Sequence, residues 1–423
     1  MDNDFHLYWE IAIFAASKLI SMLRQEELAT ILDDQQVSFH QKKDLIPRDA
    51  MDSVPIEPNF ATIITGIRRC GKSTLLLQLL QERYSDALYL NFEDIRLVAF
   101  EPGDFGRLKR EIDRRNIRVL FFDEIQLATH WEIFVSQLLR EGFTVFVTGS
   151  NASLLSKELG THLTGRHLSM ELFPFSYPEF LRFKRAAPGI ETLQSYLNSG
   201  GMPEYLHSSN ALVLGNLLDD ILMRDIAVRH AVRDVTSLKQ LAVYLLSNVG
   251  TLASANKFAG LFGIRSSTTV LEYFNHFADA YLVEFVPQFD YSLKAQARNP
   301  KKVYAIDNGL VDAVSTSASR NLGHRLENAV YMHLRARYPE IYYFKGKGEC
   351  DFVAFEKGEI KQAVQVCYRV DDSNFKREYD GLQQALDHFK LNRGLIVTGD
   401  QADRFEADGR QIDMVPAYRF LAG

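Results

Sequence analysis

A glycine-rich loop near residue 70 constrains this chain more than any other feature of its sequence. Gly66 and the run Gly71-Lys72-Ser73 satisfy the pattern G-x-x-x-x-G-K-[ST] between a strand-like run, 60–65, and a helix-like run, 73–81. Glycines allow backbone N–H groups to surround a phosphate, and the start of the helix adds partial positive charge. The loop therefore predicts a nucleoside triphosphate site within a strand–loop–helix unit.

The residue types of this loop suggest separate roles. Lys72 is suited to bridge the β- and γ-phosphates, and the Ser73 hydroxyl to coordinate Mg²⁺. The sequence leaves open whether Arg68 and Arg69 touch the phosphates or a neighbouring subunit. The loop residues expected to bind the nucleotide are Gly66, Ile67, Arg68, Arg69, Cys70, Gly71, Lys72, Ser73 and Thr74.

A second motif is an apolar run that ends in two acids, 119–124. It follows the glycine-rich loop with one further strand-like run between them. A buried strand here would deliver Asp123 to a metal ion, and Glu124 could polarise the attacking water. Together with Lys72, Glu124 is therefore a predicted catalytic residue, and Asp123 joins Ser73 as a predicted metal ligand.

Two further polar positions are catalytic candidates. The next strand-like run ends at Ser150, which could sense the γ-phosphate, and Asn151 is the second choice. Either side chain could instead cap the loop. Arg166 stands just before the following strand, where it could reach a neighbouring subunit's γ-phosphate. A solvated or locally paired arginine is the alternative.

The hydrophobic pattern changes along the chain and predicts an α/β protein of several domains. Short apolar runs that alternate with helices indicate a parallel sheet buried on both faces. They are 60–65, 87–92, 119–122, 144–148 and 168–172. Helical runs over 207–285 and a strand-like 281–285 suggest a winged helix-turn-helix, and strands return after 301. The predicted boundaries are a helical lead, 1–58, a nucleotide-binding core, 59–206, a helical winged segment, 207–300, and a second α/β domain, 301–423.

Composition excludes several classes of protein. The 423 residues carry a formal net charge of −6, which argues against a histone-like nucleic-acid binder. The three cysteines are too far apart for a zinc ribbon or a disulfide scaffold. The apolar stretch 9–23 is interrupted by Glu10 and Lys18, so an amphipathic helix is favoured over a membrane anchor. We therefore expect a cytoplasmic protein without a membrane partner.

Short blocks in a fixed order extend these motifs over most of the chain from about residue 40 to 370. The chain resembles prokaryotic AAA+-type ATPases of the archaeal-ATPase kind, which are related to STAND-type switch NTPases. The blocks are Asn91–Leu97, Asp123–Gln126, Trp131–Glu132, Thr148–Ser150, Leu163–Arg166, Pro174–Phe180, Gly200–Glu204, Arg224–Ile226, Lys302–Leu310 and Gly323–Asn328.

The resemblance implies a fold and a chemistry. It implies a P-loop, AAA+-like core followed by a winged helix and a C-terminal domain like the PD-(D/E)XK restriction endonucleases. The nucleotide would be ATP with Mg²⁺, hydrolysed by a homo-oligomer. In switch-type relatives, the element matched here by Gly201-Met202-Pro203 contacts the nucleotide, which adds Pro203 to the predicted binding residues.

The C-terminal domain departs from the nuclease pattern. Glu327 and Asp351 match two of its acids, but Gln365 stands where a third acid is expected, and Cys367 where the lysine is expected. A site that lacks one negative charge and its cation should bind metal poorly and cleave poorly. We therefore expect no nuclease activity.

Two functions remain for the whole chain. The first is an ATP-driven motor or remodeller that acts on or near DNA, and the second is a switch that recruits a protein partner without stimulation by DNA. A locally basic segment favours the first, although such a segment can also be a solvated face. Its cations are Lys257, Arg265, Lys294, Arg298, Lys301 and Lys302.

Overall fold

The computed structural model describes residues 23–41, 45–84, 86–150, 163, 165–314, 321–407 and 409–423. These residues form two compact units. The first contains the described residues up to Gly66 and from Gly71 to Leu172, and the second contains Ile67–Cys70 and Phe173–Gly423. Apart from Leu23, the helix predicted over 9–23 lies outside the described residues, as does Asn151.

The first unit is built around a five-stranded sheet in the order β2-β3-β4-β1-β5, with every neighbouring pair parallel. The strands β1 to β5 are Ala61–Thr65, Ala87–Asn91, Val119–Asp123, Thr144–Gly149 and His167–Glu171. The prediction of a parallel α/β sheet is confirmed. The central strands β1 and β4 are buried along almost their whole length, which is why their sequences are continuous apolar runs.

Within the described part of the first unit, four helices accompany this sheet. The helices α1 to α4 are Gln25–His40, Lys72–Arg83, Asp104–Arg114 and Trp131–Arg140, with 3₁₀ turns at Asp49–Ser53, Ile95–Leu97 and Ile125–Leu127. On α3, the apolar residues Phe105, Leu108 and Ile112 recur at helical spacing and are buried in the core. The remaining residues of α3 are mostly charged, so one face packs and the other meets solvent.

The helix α1 covers the edge strand β2. Gln35 accepts a hydrogen bond from the N–H of Asn91 at 2.7 Å and donates one to its carbonyl at 3.1 Å. Gln36 likewise accepts from the N–H of Tyr89 at 3.1 Å and donates to the carbonyl of Ala87 at 2.9 Å. Two glutamines thus satisfy backbone groups that an open edge would leave exposed.

The second unit begins with helices and contains two sheets. Its helices α5 to α16 are Tyr177–Lys184, Ile190–Ser199, Pro203–Ser208, Leu212–Asp220, Val235–Ser247, Ala255–Phe258, Ser267–Asp279, Leu293–Arg298, Asn308–Val314, Leu322–Arg335, Phe375–Phe389 and Ala417–Phe420. A π-helical stretch, Ile221–Val228, follows α8. None of the helices in the described part of the chain is long and apolar enough to cross a membrane.

The smaller sheet of this unit has the order β6-β8-β7 and is antiparallel. Its strands β6 to β8 are Leu252–Ala253, Val283–Val286 and Lys301–Ala305. The larger, mixed sheet has the order β13-β14-β12-β11-β10-β9. Its strands β9 to β14 are Glu340–Lys345, Glu349–Glu356, Glu359–Val366, Arg393–Thr398, Asp403–Ala407 and Arg410–Pro416. The hairpin formed by β13 and β14 was not predicted from the sequence.

Candidate nucleotide site

The glycine-rich loop connects β1 to α2 at the carboxyl edge of the parallel sheet, where ligands of open α/β sheets bind. Gly71 has a φ of +105°, a backbone conformation that residues with a Cβ rarely adopt. A Cβ at this position would also lie 2.8 Å from Nη1 of Arg48. The glycine is therefore required by both the backbone and the space around it.

Lys72 is the first residue of α2 and is buried within the first unit. Its Nζ donates a hydrogen bond to the carbonyl of Gly66 at 3.1 Å and lies 3.6 Å from Oε1 of Glu124. A buried ammonium needs such oxygen partners because burial removes its water. The structure thus brings together the loop lysine and the predicted catalytic acid.

Asp123 is fully buried at the end of β3, and hydroxyl groups from the two neighbouring strands hold its two oxygens. The Tyr89 hydroxyl on β2 donates to Oδ2 at 2.7 Å, and the Thr148 hydroxyl on β4 donates to Oδ1. Burial and the adjacent Asp123 carboxylate raise the pKa of Tyr89 well above its usual value, so Tyr89 remains a neutral donor. Neither hydroxyl belongs to the residues predicted from the sequence.

Glu124 adopts a left-handed backbone conformation with a φ of +50°, which costs a non-glycine residue of order 1–2 kcal/mol. Its N–H donates to the Thr148 hydroxyl at 3.0 Å, and the Gln126 side-chain amide donates to its Oε2. These contacts hold the strained turn and fix the direction of the carboxylate. The Glu124 side chain therefore has a defined position beside Lys72.

The residues predicted to hold magnesium fit that ion when a nucleotide is bound. Mg²⁺ usually takes one or two protein oxygens and completes its octahedron with phosphates and water. The half-buried Ser73 and the Asp123 carboxylate are two such oxygen donors. Within the described residues, no group of three or more His, Cys, Asp or Glu side chains could hold a metal ion. A site of few protein ligands shared with phosphates is consistent with both observations.

The other two predicted catalytic residues lie at different edges of this sheet. Ser150 is buried directly after β4, at the same carboxyl edge as Asp123. Arg166 is exposed directly before β5, and its carbonyl accepts from the N–H of Ala61 at the amino end of β1. Arg166 is therefore separated from Lys72 by the length of a strand. This position does not suit an arginine that serves its own chain's nucleotide, and its action on a neighbouring subunit remains a prediction.

The middle of the loop, Ile67–Cys70, groups with the second unit. There the Arg68 guanidinium makes two hydrogen bonds to the Asp225 carboxylate, at 3.1 and 3.2 Å. Arg69 lies 3.2 Å from a Glu204 oxygen and 3.3 Å from an Asp220 oxygen. Both arginines therefore contact acidic side chains, an arrangement that neither sequence-based alternative anticipated.

Pro203, the last predicted nucleotide contact, is the first residue of α7, and the preceding motif packs within the second unit. The N–H of Gly201 donates to Oδ2 of Asp307 at 2.6 Å, and the N–H of Gly309 donates to Oδ1 at 2.8 Å. Burial raises the pKa of Asp307 to about 6, against the lowering effect of these N–H groups. Two sequence blocks far apart in the chain thus meet at one buried carboxylate.

The acidic residues of the nuclease-like pattern also come together in the second unit. Asp351 on β10 and Glu327 on α14 both contact Nζ of Lys302, at 2.7 and 3.3 Å. Gln365 accepts from the N–H of Asp351 at 3.1 Å. Burial and the Glu378 carboxylate raise the pKa of the Cys367 thiol to about 11. Cys367 predicts a site without its cation, but Lys302 supplies one from β8.

Comparison with known proteins agrees with the chemistry of the first unit. Residues 58–181 match the AAA domain family, and residues 190–321 match a domain of unknown function, DUF8612. Among solved structures, the chain is similar to a STAND protein with a tetratricopeptide repeat sensor, PH0952 from Pyrococcus horikoshii. That similarity covers 70% of this chain and 46% of the other, at 13% identity and a TM-score of 0.28.

Two full-length relatives are uncharacterized proteins. MJ1544 of Methanocaldococcus jannaschii is 33% identical over 422 residues, which cover 92% of this chain and 93% of the relative. A protein of Haemophilus influenzae is 31% identical over 379 residues, which cover 84% of this chain and 93% of the relative. The chain therefore belongs to the same family as these two proteins, and its residues 58–181 form an AAA-family ATPase domain.

Proposed function

We propose that the protein binds ATP with Mg²⁺ and hydrolyses it at the carboxyl edge of the five-stranded sheet. The observation that carries this proposal is the meeting of Lys72, Asp123 and Glu124, with Nζ of Lys72 3.6 Å from the Glu124 carboxylate. Phosphoryl transfer depends mainly on positioning and charge stabilisation, and these three residue types provide both. The preference for adenine rests on the AAA domain family.

Each side chain has a role in this proposal. Lys72 neutralises the β- and γ-phosphates, Ser73 and Asp123 hold Mg²⁺, and Glu124 polarises the attacking water. Bound Mg²⁺ would neutralise negative charge on the phosphates. Tyr89 and Thr148 act as positioning residues, because their hydroxyls fix both oxygens of Asp123.

The contact between Lys72 and Glu124 suggests how the site responds to nucleotide. Phosphate oxygens that enter the loop compete with Glu124 for the Lys72 ammonium. The carboxylate that loses this cation becomes a better acceptor for a proton of water. Binding of the γ-phosphate would therefore prepare the catalytic acid for the reaction.

Steady-state ATP hydrolysis by the purified full chain tests the proposal. Lys72→Ala should remove nucleotide binding or turnover, whereas Glu124→Gln should bind ATP and turn it over at least about 100-fold more slowly. Lys109→Ala is the matched control, since Lys109 belongs to the same unit and pairs with Asp113 at 2.6 Å on the surface. Normal hydrolysis by both site variants would show that the site is wrongly assigned.

A second function, action on DNA, is favoured by exposed cations in the second unit. The order of α9, β6, α10, α11, β7 and β8 is that of a winged helix, and exposed cations accompany it. They are Lys257, Arg265, Lys294 and Arg298. The third helix, Ser267–Asp279, contains no lysine or arginine. We therefore propose contact with DNA phosphates rather than reading of bases by this helix.

Measuring hydrolysis with single-stranded, duplex and branched DNA tests this second function. Stimulation of several-fold that falls with salt and is lost in Lys294→Glu/Arg298→Glu would support a DNA-directed motor. Hydrolysis that ignores every DNA would instead support a STAND-like switch that recruits a protein partner. The mass of the assembly with ATP, compared between the natural chain and Arg166→Ala, tests the proposed homo-oligomer.

A further inference from the structure

A buried lysine lies among three acidic side chains in the second unit. Nζ of Lys302 on β8 lies 2.7 Å from Asp351, 2.9 Å from Glu349 and 3.3 Å from Glu327. Its side chain is only 5% exposed. One ammonium thus contacts helix α14 and strand β10, two elements that are distant from β8 in sequence.

The carboxylates of this cluster have further donors. The Tyr304 hydroxyl donates to the same Glu327 oxygen at 2.7 Å, and the N–H of Val366 donates to Oδ2 of Asp351 at 2.9 Å. The cluster is therefore a connected polar network, in which removal of one member leaves buried partners unsatisfied.

The charges of the cluster favour a cation at its centre. Burial alone would lower the pKa of Lys302, but the carboxylates of Asp351, Glu327 and Glu349 raise it well above its usual value. Burial and the Asp351 carboxylate raise the pKa of Glu327 to about 7, although Lys302 opposes this rise. The ammonium is charged at neutral pH and offsets the repulsion between the Asp351 and Glu327 carboxylates.

The nuclease-like resemblance implies a metal at the position that Lys302 occupies, and the residues present do not fit one. A Mg²⁺ ion needs oxygens at about 2.0–2.1 Å, but Nζ of Lys302 already lies between the Asp351 and Glu327 oxygens. The Gln365 amide is also engaged, because its oxygen accepts from the N–H of Asp351 and its Nε2 donates to Glu378 at 2.5 Å. The side-chain oxygen of Gln365 is thus already held by a backbone N–H.

We propose that the Lys302 ammonium is the permanent cation of this carboxylate site and takes the place of a divalent metal ion. The nuclease-like domain is then a metal-free structural module, joined to β8 by this charge cluster. A direct consequence is that removal of the ammonium creates a binding site for a divalent cation, formed by Asp351 and Glu327. Neither the ATPase domain nor its proposed reaction is needed for this inference.

Binding of Mn²⁺, followed by the electron paramagnetic resonance signal of the free ion, tests the proposal. The full chain is used without nucleotide and with Asp123→Asn in every sample, so that the proposed ATP site does not contribute. Lys302→Ala should gain one Mn²⁺ per chain, bound at least about tenfold more tightly than by the parent, and adding Asp351→Asn should abolish this gain. Lys301→Ala is the matched control, since this half-buried neighbour points to the opposite side of β8.

Two results would overturn the proposal. One is Mn²⁺ binding by the parent that Asp351→Asn removes, and the other is a folded Lys302→Ala that gains no Mn²⁺. If Lys302→Ala does not fold, thermal unfolding of Lys302→Met decides the matter. This variant should melt at a lower temperature than Lys302→Met/Asp351→Asn, because the double variant carries less unbalanced charge. Additive or larger destabilisation in the double variant would refute the role of Lys302 as the balancing cation.

Discussion

Replacement of Gly201 by alanine tests whether the block Gly200–Glu204 packs within the second unit or contacts the nucleotide. The Gly201 backbone is buried against Phe175, and an added Cβ would lie 2.1 Å from the Phe175 carbonyl oxygen and 2.9 Å from its nitrogen. Both of these atoms belong to the backbone, so no side-chain rotation can relieve the overlap. Gly201→Ala must therefore move the two segments apart.

The cost of this movement follows from the contacts that it breaks. The N–H of Gly201 donates to the buried Asp307 at 2.6 Å, and the Phe175 N–H donates to the Gly201 carbonyl at 2.8 Å. A hydrogen bond to a charged group contributes about 1.5–3 kcal/mol, and overpacking costs about 1–3 kcal/mol. Together they predict a loss of about 2.5–6 kcal/mol in the local free energy of opening.

Amide hydrogen exchange measures this quantity within the full chain. A loss of about 3 kcal/mol should speed exchange about 100-fold in peptides that cover residues 173–181 and 197–206. Gly215→Ala is the matched control, because Gly215 lies inside α8 and its added Cβ meets nothing within 4 Å. The control should stabilise its helix by about 0.5–1 kcal/mol and leave exchange in the two peptides unchanged.

The opposite result would refute the packing argument. If amide exchange in Gly201→Ala is as slow as in the natural chain, the two segments tolerate a Cβ. The contact with Phe175 then does not restrict the residue at position 201. If slow exchange is accompanied by weaker ATP binding, the block acts at the nucleotide, as the resemblance to switch NTPases implies. Faster exchange with unchanged ATP affinity would support the packing role alone.

Two further predictions concern polar side chains elsewhere in the two units. Thr148→Val removes a hydroxyl that donates to Asp123 and accepts from the Glu124 N–H. A loss of about 2 kcal/mol should lower kcat/KM for ATP about 30-fold, and an unchanged kcat/KM would contradict the positioning role of Thr148. Burial lowers the pKa of His333 from 6.5 to about 3, so the unfolded chain gains a proton first as pH falls. Stability should drop by about 2 kcal/mol between pH 8 and 5, and His333→Phe should lose this part of the drop in denaturant titrations; an unchanged drop would contradict it.

The sheet of the first unit could be predicted closely because its strands are parallel and buried on both faces. Such strands are continuous apolar runs, and β3 was expected over 119–122 and is observed over Val119–Asp123. The position of Lys72 could also be predicted, because the glycine-rich loop and the start of α2 are adjacent in sequence. The meeting of Lys72 and Glu124 then follows from the shared edge of parallel strands.

The partners of the acids could not be predicted, because they depend on which strands are neighbours. Tyr89 and Thr148 reach Asp123 only because β3 lies between β2 and β4. Lys302 reaches Asp351 across 49 positions of sequence and from a different sheet. A motif examined within one segment, such as the missing lysine at Cys367, does not reveal a cation supplied from elsewhere in the chain.

The strand β8 and the turn after it show what the blocks of the family resemblance do in the second unit. Lys302 and Tyr304 contact Glu327, Asn328 exchanges hydrogen bonds with the backbone of Ala305 at 2.7 and 3.0 Å, and Asp307 holds Gly201. Three blocks of the resemblance, around residues 201, 305 and 327, thus meet through polar contacts of β8 and the turn after it. Because a buried polar group that loses its partner is costly, the fold of the second unit accounts for these blocks. ATP chemistry is therefore supported by the first unit, where the residues that contact one another are also those that the proposed reaction requires.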